Sequence, residues 1–568
     1  MTSRAGVLVL LLLLLSACSI VPSSSAPVQI TEAPTRPDGD VGIDPLPPEP
    51  GASPEEIVRG FLDAAASEVR GHPVAREHLA PGPAVSWSDD AGITVLGQDY
   101  ATVTTDAGTV VVTATLVGAV DQRGVFTVAP QDLFTREFTL QEVDGEWRIA
   151  NPPDGLLILE PDFERLYDRR DLYFLDPTNQ RVVPDPRYLI NGEAQPTVLV
   201  ERLLDGPSSV LSAGVRNALS GAALRSTVTL TGQTVTVDLT GLADASPAQR
   251  SELSAQLVWT LRPLARTVEI RVDGELLGLD GVPMLQTVED WASFGSDAVP
   301  VDAVGHYLDG GALRTVDDAP APGPAGAGAY GLTSAAVTVD SRTGELTAMA
   351  GTVARDGQAT LLSGRYGGEL APVLTGASLT APTTAATRPE FWLVRDGGAV
   401  VRVPAEGAPQ AVNAPTLAGL GRAQVLQLSP DGVRAAVVIE TSQGVRLFVG
   451  TIVRSEEGPV ALRDLREVAP TLSQVVDVAW RTAGSLMVLA GDAGQDGIAP
   501  YVVGVDGWGL SDMATAGLPS QPTGVAAAPG RSPLVSAGGT IWQLAGGTWV
   551  TLVRGQQPVP GIEPFYPL

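Results

Sequence analysis

The sequence predicts a multidomain protein, with two small α+β domains in its first half and an all-β propeller of five or six blades in its second. Three observations lead there. Beyond residue 300, strand-turn-strand segments recur about every 50 residues, which is blade spacing for a propeller. Ser53 and Ser246 each open a helix-start signature, with Glu56 and Gln249 three positions on. A content of 63 Gly and 46 Pro with only 5% aromatic residues favours turns and strands over helical bundles. At 568 residues, the chain has room for three or four domains.

Residues 1–17 combine Arg4, an apolar run from Ala5 to Leu15 and then small residues. The run is about half the ~20 residues that span a bilayer, so it reads as an export signal. Leu15-Ser16-Ala17-Cys18 matches the bacterial lipobox, in which cleavage precedes a cysteine whose sulfur receives a diacylglyceryl group. Cys18 is therefore the expected lipid attachment site, holding the chain on the extracytoplasmic face of the cell membrane; two acyl chains make a stable anchor where one is marginal. As the only cysteine, it excludes an intrachain disulfide and any cysteine-based zinc site.

Residues 18–50 form a tether, with eight prolines in positions 19–50. At ~3.1 Å per residue in an extended polyproline conformation, it reaches roughly 100 Å. The next unit, 51–160, begins with a helix capped by Ser53, whose apolar face carries Ile57, Val58, Phe61, Leu62 and Ala65. Strand-like runs follow at "GITVLG", "TVVVTATLVGAV", "EFTLQEV" and "WRIANPP". A helix leading into a curved antiparallel sheet resembles small cystatin-like or NTF2-like α+β domains.

The third unit spans 165–290. "DLYFLDPTNQRVVPDPRYL" predicts two strands, "PTVLVERLLDGPSS" a helix stopped at Gly206-Pro207, and "RSTVTLTGQTVTVDLTGL" a hairpin. Ser246 then opens a second helix, and "RTVEIRVDGELL" closes with a strand. With "LLDGP", "VTVDLTGL" and "QLVWTLRP" in this order, the unit resembles the α+β GerMN domain.

The remainder, 295–568, carries the repeats. "YLDGGALRTV", "LVRDGGAVVRV" and "QLAGGTWVTLV" predict one recurring hairpin. "VLQLSPDGVRAAVVI", "VVDVAWRTAGSLMVLA" and "GVAAAPGRSPLVSA" predict a second, with turns near 431, 483 and 530.

No catalytic residue, cofactor or metal ligand is expected. His72 and His78 lie six apart with Pro73 and Glu77 between, which fits no common metal spacing, and His306 opens a predicted hairpin. "GDAGQDG" at 491–497 is read as a loop. Trp508, in "VDGWG", is a candidate exposed contact for sugar or protein. A net charge of −28, with all 36 basic residues arginine, argues against nucleic acid as a partner.

The order of lipobox, proline-rich tether, small α+β domain, GerMN-like unit and propeller resembles the LpqB lipoproteins of actinobacteria. That resemblance implies a non-enzymatic envelope lipoprotein, accessory to the MtrA–MtrB two-component system. It would contact the extracellular sensor domain of an MtrB-like histidine kinase and so affect cell division and envelope homeostasis. The alternative is an envelope scaffold that binds peptidoglycan or another glycan.

Overall fold

The first helix, Pro54–Ala65, forms where its cap predicts. The Ser53 side chain accepts the Glu56 N–H while Glu56 bonds back to the Ser53 N–H at 2.7 Å, a complete capping box. Its face of Ile57, Val58, Phe61 and Leu62 is buried against a curved sheet. The backbone of that sheet is the long strand Thr109–Val120, paired antiparallel over its first half with Ala101–Asp106 on one edge and Leu133–Val143 on the other, and near its end with Phe126–Val128. Ile93–Leu96 joins it on one side and pairs parallel with Leu156–Leu159.

The computed structural model describes residues 45–568 except 107, 131, 193, 298–302, 318, 341–342, 455–458, 493–496 and 555–556. Cys18, the signal and most of the tether lie outside the described residues, as does the middle of the 491–497 loop. Residues 45–568 form one compact unit.

The second domain starts with a long hairpin, Tyr167–Leu175 paired with Val182–Ile190. Helix Gln195–Leu204 follows, then the hairpin Thr229–Thr231 and Thr234–Thr240. Helix Pro247–Leu261 crosses over to Thr267–Val272, which runs parallel to Thr234–Thr240. Only half of the second capping box forms. Ser246 accepts the Gln249 N–H, but the Gln249 amide donates instead to the Ala218 carbonyl at 3.2 Å, tying the helix to a neighbouring loop.

The propeller has six blades among the described residues. Their innermost strands are Ser334–Val339, Thr383–Ala385, Arg422–Leu428, Leu472–Thr482, Pro522–Ala526 and Ile562–Phe565. Each touches the next, and the last touches the first. Five blades meander outward through four strands. The sixth pairs Ile562–Phe565 with His306–Asp309, then Ala312–Thr315, so distant segments of chain share one sheet and close the ring.

The repeat "QLAGGTWVTLV" sits one strand further out than its two supposed equivalents. It joins the third and fourth strands of its blade, whereas "YLDGGALRTV" and "LVRDGGAVVRV" join the second and third. The true counterpart is the preceding turn at Gly538-Gly539, between Leu534–Ala537 and Thr540–Ala545. Two Gly-Gly turns eight residues apart, both with φ between +56° and +81°, make the register ambiguous from sequence.

Candidate functional site

The hairpin of the second domain lies between its two neighbours. On one side the Tyr188 N–H donates to the Gly124 carbonyl at 2.8 Å. On the other the Tyr188 hydroxyl donates to Asp506 at 3.0 Å, and Arg434 donates to the Pro184 carbonyl at 2.6 Å. Thr451 reaches the Val210 carbonyl at 2.7 Å, and the Ala483 N–H donates to Asp297 at 2.7 Å. Asp185 sits buried within the hairpin. Burial would raise its pKa, but the Arg187 guanidinium at 2.9 Å and two bonds from Ser208 outweigh that and hold it low. These bonds lock the second domain to both partners.

The N-terminal domain and the propeller leave a cleft of about 630 Å³ between them. Its floor is Phe126, Val128, Val468 and Trp508, and Leu133 stands at the cleft 72% exposed. Asp132, Glu160 and Glu164 also line it, and no basic side chain does among the described residues. Burial and the neighbouring charge of Glu164 raise the pKa of Glu160. The cleft therefore offers apolar surface within a negative field.

Trp508 does not stand free as an exposed contact. Its ring packs edge-on to Phe126 and Phe163 at 5.0 Å each and to Tyr188 at 5.8 Å, which leaves it half-buried. Gly507 permits this approach, because a Cβ there would fall 2.7 Å from Val128. The turn supplies the junction of three domains and one wall of the cleft.

A second hollow, about 360 Å³, runs along the propeller axis and is lined by all six inner strands. Asp477 accepts the backbone N–H groups of Val478 and of Val525 on the next inner strand. Surrounding protein pushes its carboxyl up to about 7, the backbone bonds opposing and Glu563 reinforcing the shift. Glu563 stays exposed within the channel and holds a left-handed backbone, φ 48°.

All three histidines are buried in the fold. His72 is buried, with Nδ1 2.7 Å from Asp89, while its Nε2 is closed from solvent and has no partner among the described residues. His78 packs its ring over Gly60, where a Cβ would lie 2.5 Å from Nε2. His306 bonds to the Val304 carbonyl and Tyr366 hydroxyl, and burial lowers its pKa to about 4. No three of His, Cys, Asp or Glu converge as a metal site among the described residues. Of the residues around the two hollows, the sequence points to Trp508 alone; inner-strand polar residues such as Thr383 and Asp477 were the available signal for the channel.

Three family models match: the N-terminal domain of lipoprotein LpqB over residues 47–164, a sporulation and spore germination model over 171–278, and the LpqB β-propeller domain over 311–567. Lipoprotein LpqB of Rhodococcus opacus is 31% identical over 505 residues, 84% of this chain and 83% of that protein. Its counterpart in Mycobacterium tuberculosis is 32% identical over 603 residues, 98% of this chain and 97% of that one. Among solved structures, tandem GerMN domains of the sporulation protein GerM from Bacillus subtilis cover 22% of this chain and 45% of theirs, at 20% identity and a TM-score of 0.18. Fold and site define a class: a three-domain chain with a closed propeller, a hollow between its domains and another along the propeller axis. Within that class, the chain belongs to the LpqB lipoprotein family.

Proposed function

We propose that the protein is a membrane-anchored envelope lipoprotein, tethered through Cys18, that acts as an accessory of a two-component system. It docks the extracytoplasmic sensor domain of an MtrB-like histidine kinase in the cleft between its N-terminal domain and propeller. One observation carries this reading: Leu133, Trp508 and Leu510 offer apolar surface beside Asp132, Glu160 and Glu164, with no basic side chain among the described lining residues. Such a groove suits a partner segment that presents apolar and arginine or lysine side chains together. A tethered protein has a high effective concentration at a membrane neighbour. It shifts the kinase's equilibrium only by binding one of its conformational states better than another.

The test places a photoreactive residue at Leu133 and, separately, at Val85, an 87% exposed position that does not line the cleft. Crosslinking in intact cells should recover the kinase sensor domain from position 133 and not from 85. Equal recovery from both positions, or from neither, refutes docking at the cleft. Retention of the full chain on purified cell wall, with no kinase recovered, transfers the weight to a glycan-binding scaffold.

A further inference from the structure

The propeller channel has a chemistry that the docking cleft lacks. Hydroxyl groups line it at Thr333, Ser334, Thr380, Thr383 and Thr384, together with the carboxyls of Asp477 and Glu563. No arginine or histidine lines it among the described residues. Several hydroxyls are already committed: Thr383 donates to Gln427 at 3.0 Å, and Ser334 pairs with Thr352. Thr384 is different. It is only 4% exposed, and its Oγ1 is shut from solvent with no hydrogen-bond partner among the described residues. A buried hydroxyl left unpaired is destabilising, and a turn of the Thr384 side chain about its Cα–Cβ bond would bring it to a ligand in the hollow. Glu563 likewise accepts no side-chain hydrogen bond among the described residues, and the Asp477 carboxyl lies in the same channel.

We propose that the propeller channel binds a small polyhydroxylated ammonium compound, of the amino-sugar class, its ammonium on Glu563 and a hydroxyl on Thr384. The hollow of about 360 Å³ lies at the small end of ligand pockets, which suits a single sugar-sized molecule more than a polymer. An N⁺–H···O⁻ bond is about twice as strong as a neutral one, so charge dominates the selectivity. The site is independent of the cleft, and neither proposal needs the other.

Titration calorimetry on the purified full chain in detergent, with glucosamine as the probe and glucose as its uncharged control, tests this. Glucosamine should bind at least tenfold more tightly than glucose. Glu563→Gln should remove most of that preference, whereas Thr384→Val should weaken both sugars several-fold and keep the ratio. Glu369→Gln, an acid outside the channel, should change nothing. Equal affinity for the two sugars, no binding of either, or full affinity in a Glu563→Gln chain with an unchanged melting temperature overturns the assignment. If Glu563→Gln does not fold, an unaltered affinity in Thr384→Val overturns it alone.

Discussion

Asp477 bridges two inner strands of the propeller through backbone N–H groups on both, so its protonation state bears directly on stability. Its carboxyl titrates near 7 in the folded chain against an ordinary 3.8. Between those values the folded chain holds a proton that the unfolded chain has released. The contribution of Asp477 to stability therefore grows as pH falls from about 7 towards 3.8. His306 acts in the opposite sense: with its pKa lowered to about 4 from 6.5, its contribution is lost as pH falls through that window. Asp477→Asn should raise the melting temperature at pH 8 and change it little at pH 5, read by scanning calorimetry at both values. A shift of equal size at the two pH values would show that Asp477 does not titrate as described. None of this was visible in "VVDVAW", because the surrounding protein comes from strands nearly 50 and 90 residues away.

At the scale of elements, the local signals carried most of the reading. Both predicted helix starts form at their serines, since a cap depends on residues three positions apart. Their energies should differ. Ser53→Ala removes the two bonds of the hydroxyl, from the Glu56 N–H and to the Glu56 carboxylate, and leaves the backbone N–H of residue 53 on Glu56, with an expected loss of about 1–2 kcal/mol. Ser246→Ala removes one bond and leaves Gln249 on Ala218, with an expected loss of about 0.5–1 kcal/mol. Urea unfolding of the two variants checks the order. The hairpin misplacement at 543–553 shows where local signals stop: adjacent Gly-Gly turns predict hairpins equally well, and only strand order in the blade separates them. Trp508 shows the same limit, since a glycine-flanked tryptophan at a turn reads as exposed until Phe126 and Phe163 arrive from another domain.

At the scale of the whole molecule, ring closure is the decisive contact. Ile562–Phe565 completes the blade begun by His306–Asp309, and Phe565 stacks on His306 with ring centroids 5.4 Å apart. Ending the chain at residue 560 should leave His306–Asp309 without its inner partner strand and Ser334–Val339 without one neighbour. The expected result is loss of the cooperative β-sheet transition by circular dichroism and aggregation on size exclusion; a monomeric chain with an unchanged melting curve would mean the closure is dispensable. The sequence by itself determined the domain order, the helix starts and the period of the propeller repeats, because each depends on residue types within a few positions or on a regular period. Tertiary structure decided the blade count, the place of Trp508 and both hollows. The cleft draws on residues 115–117, 126, 128–129, 132–133, 160, 164, 468–471 and 507–510, and the channel takes a few residues from each of six strands. Such surfaces leave no local signature, because each side chain there also satisfies the ordinary pattern of its own strand or turn.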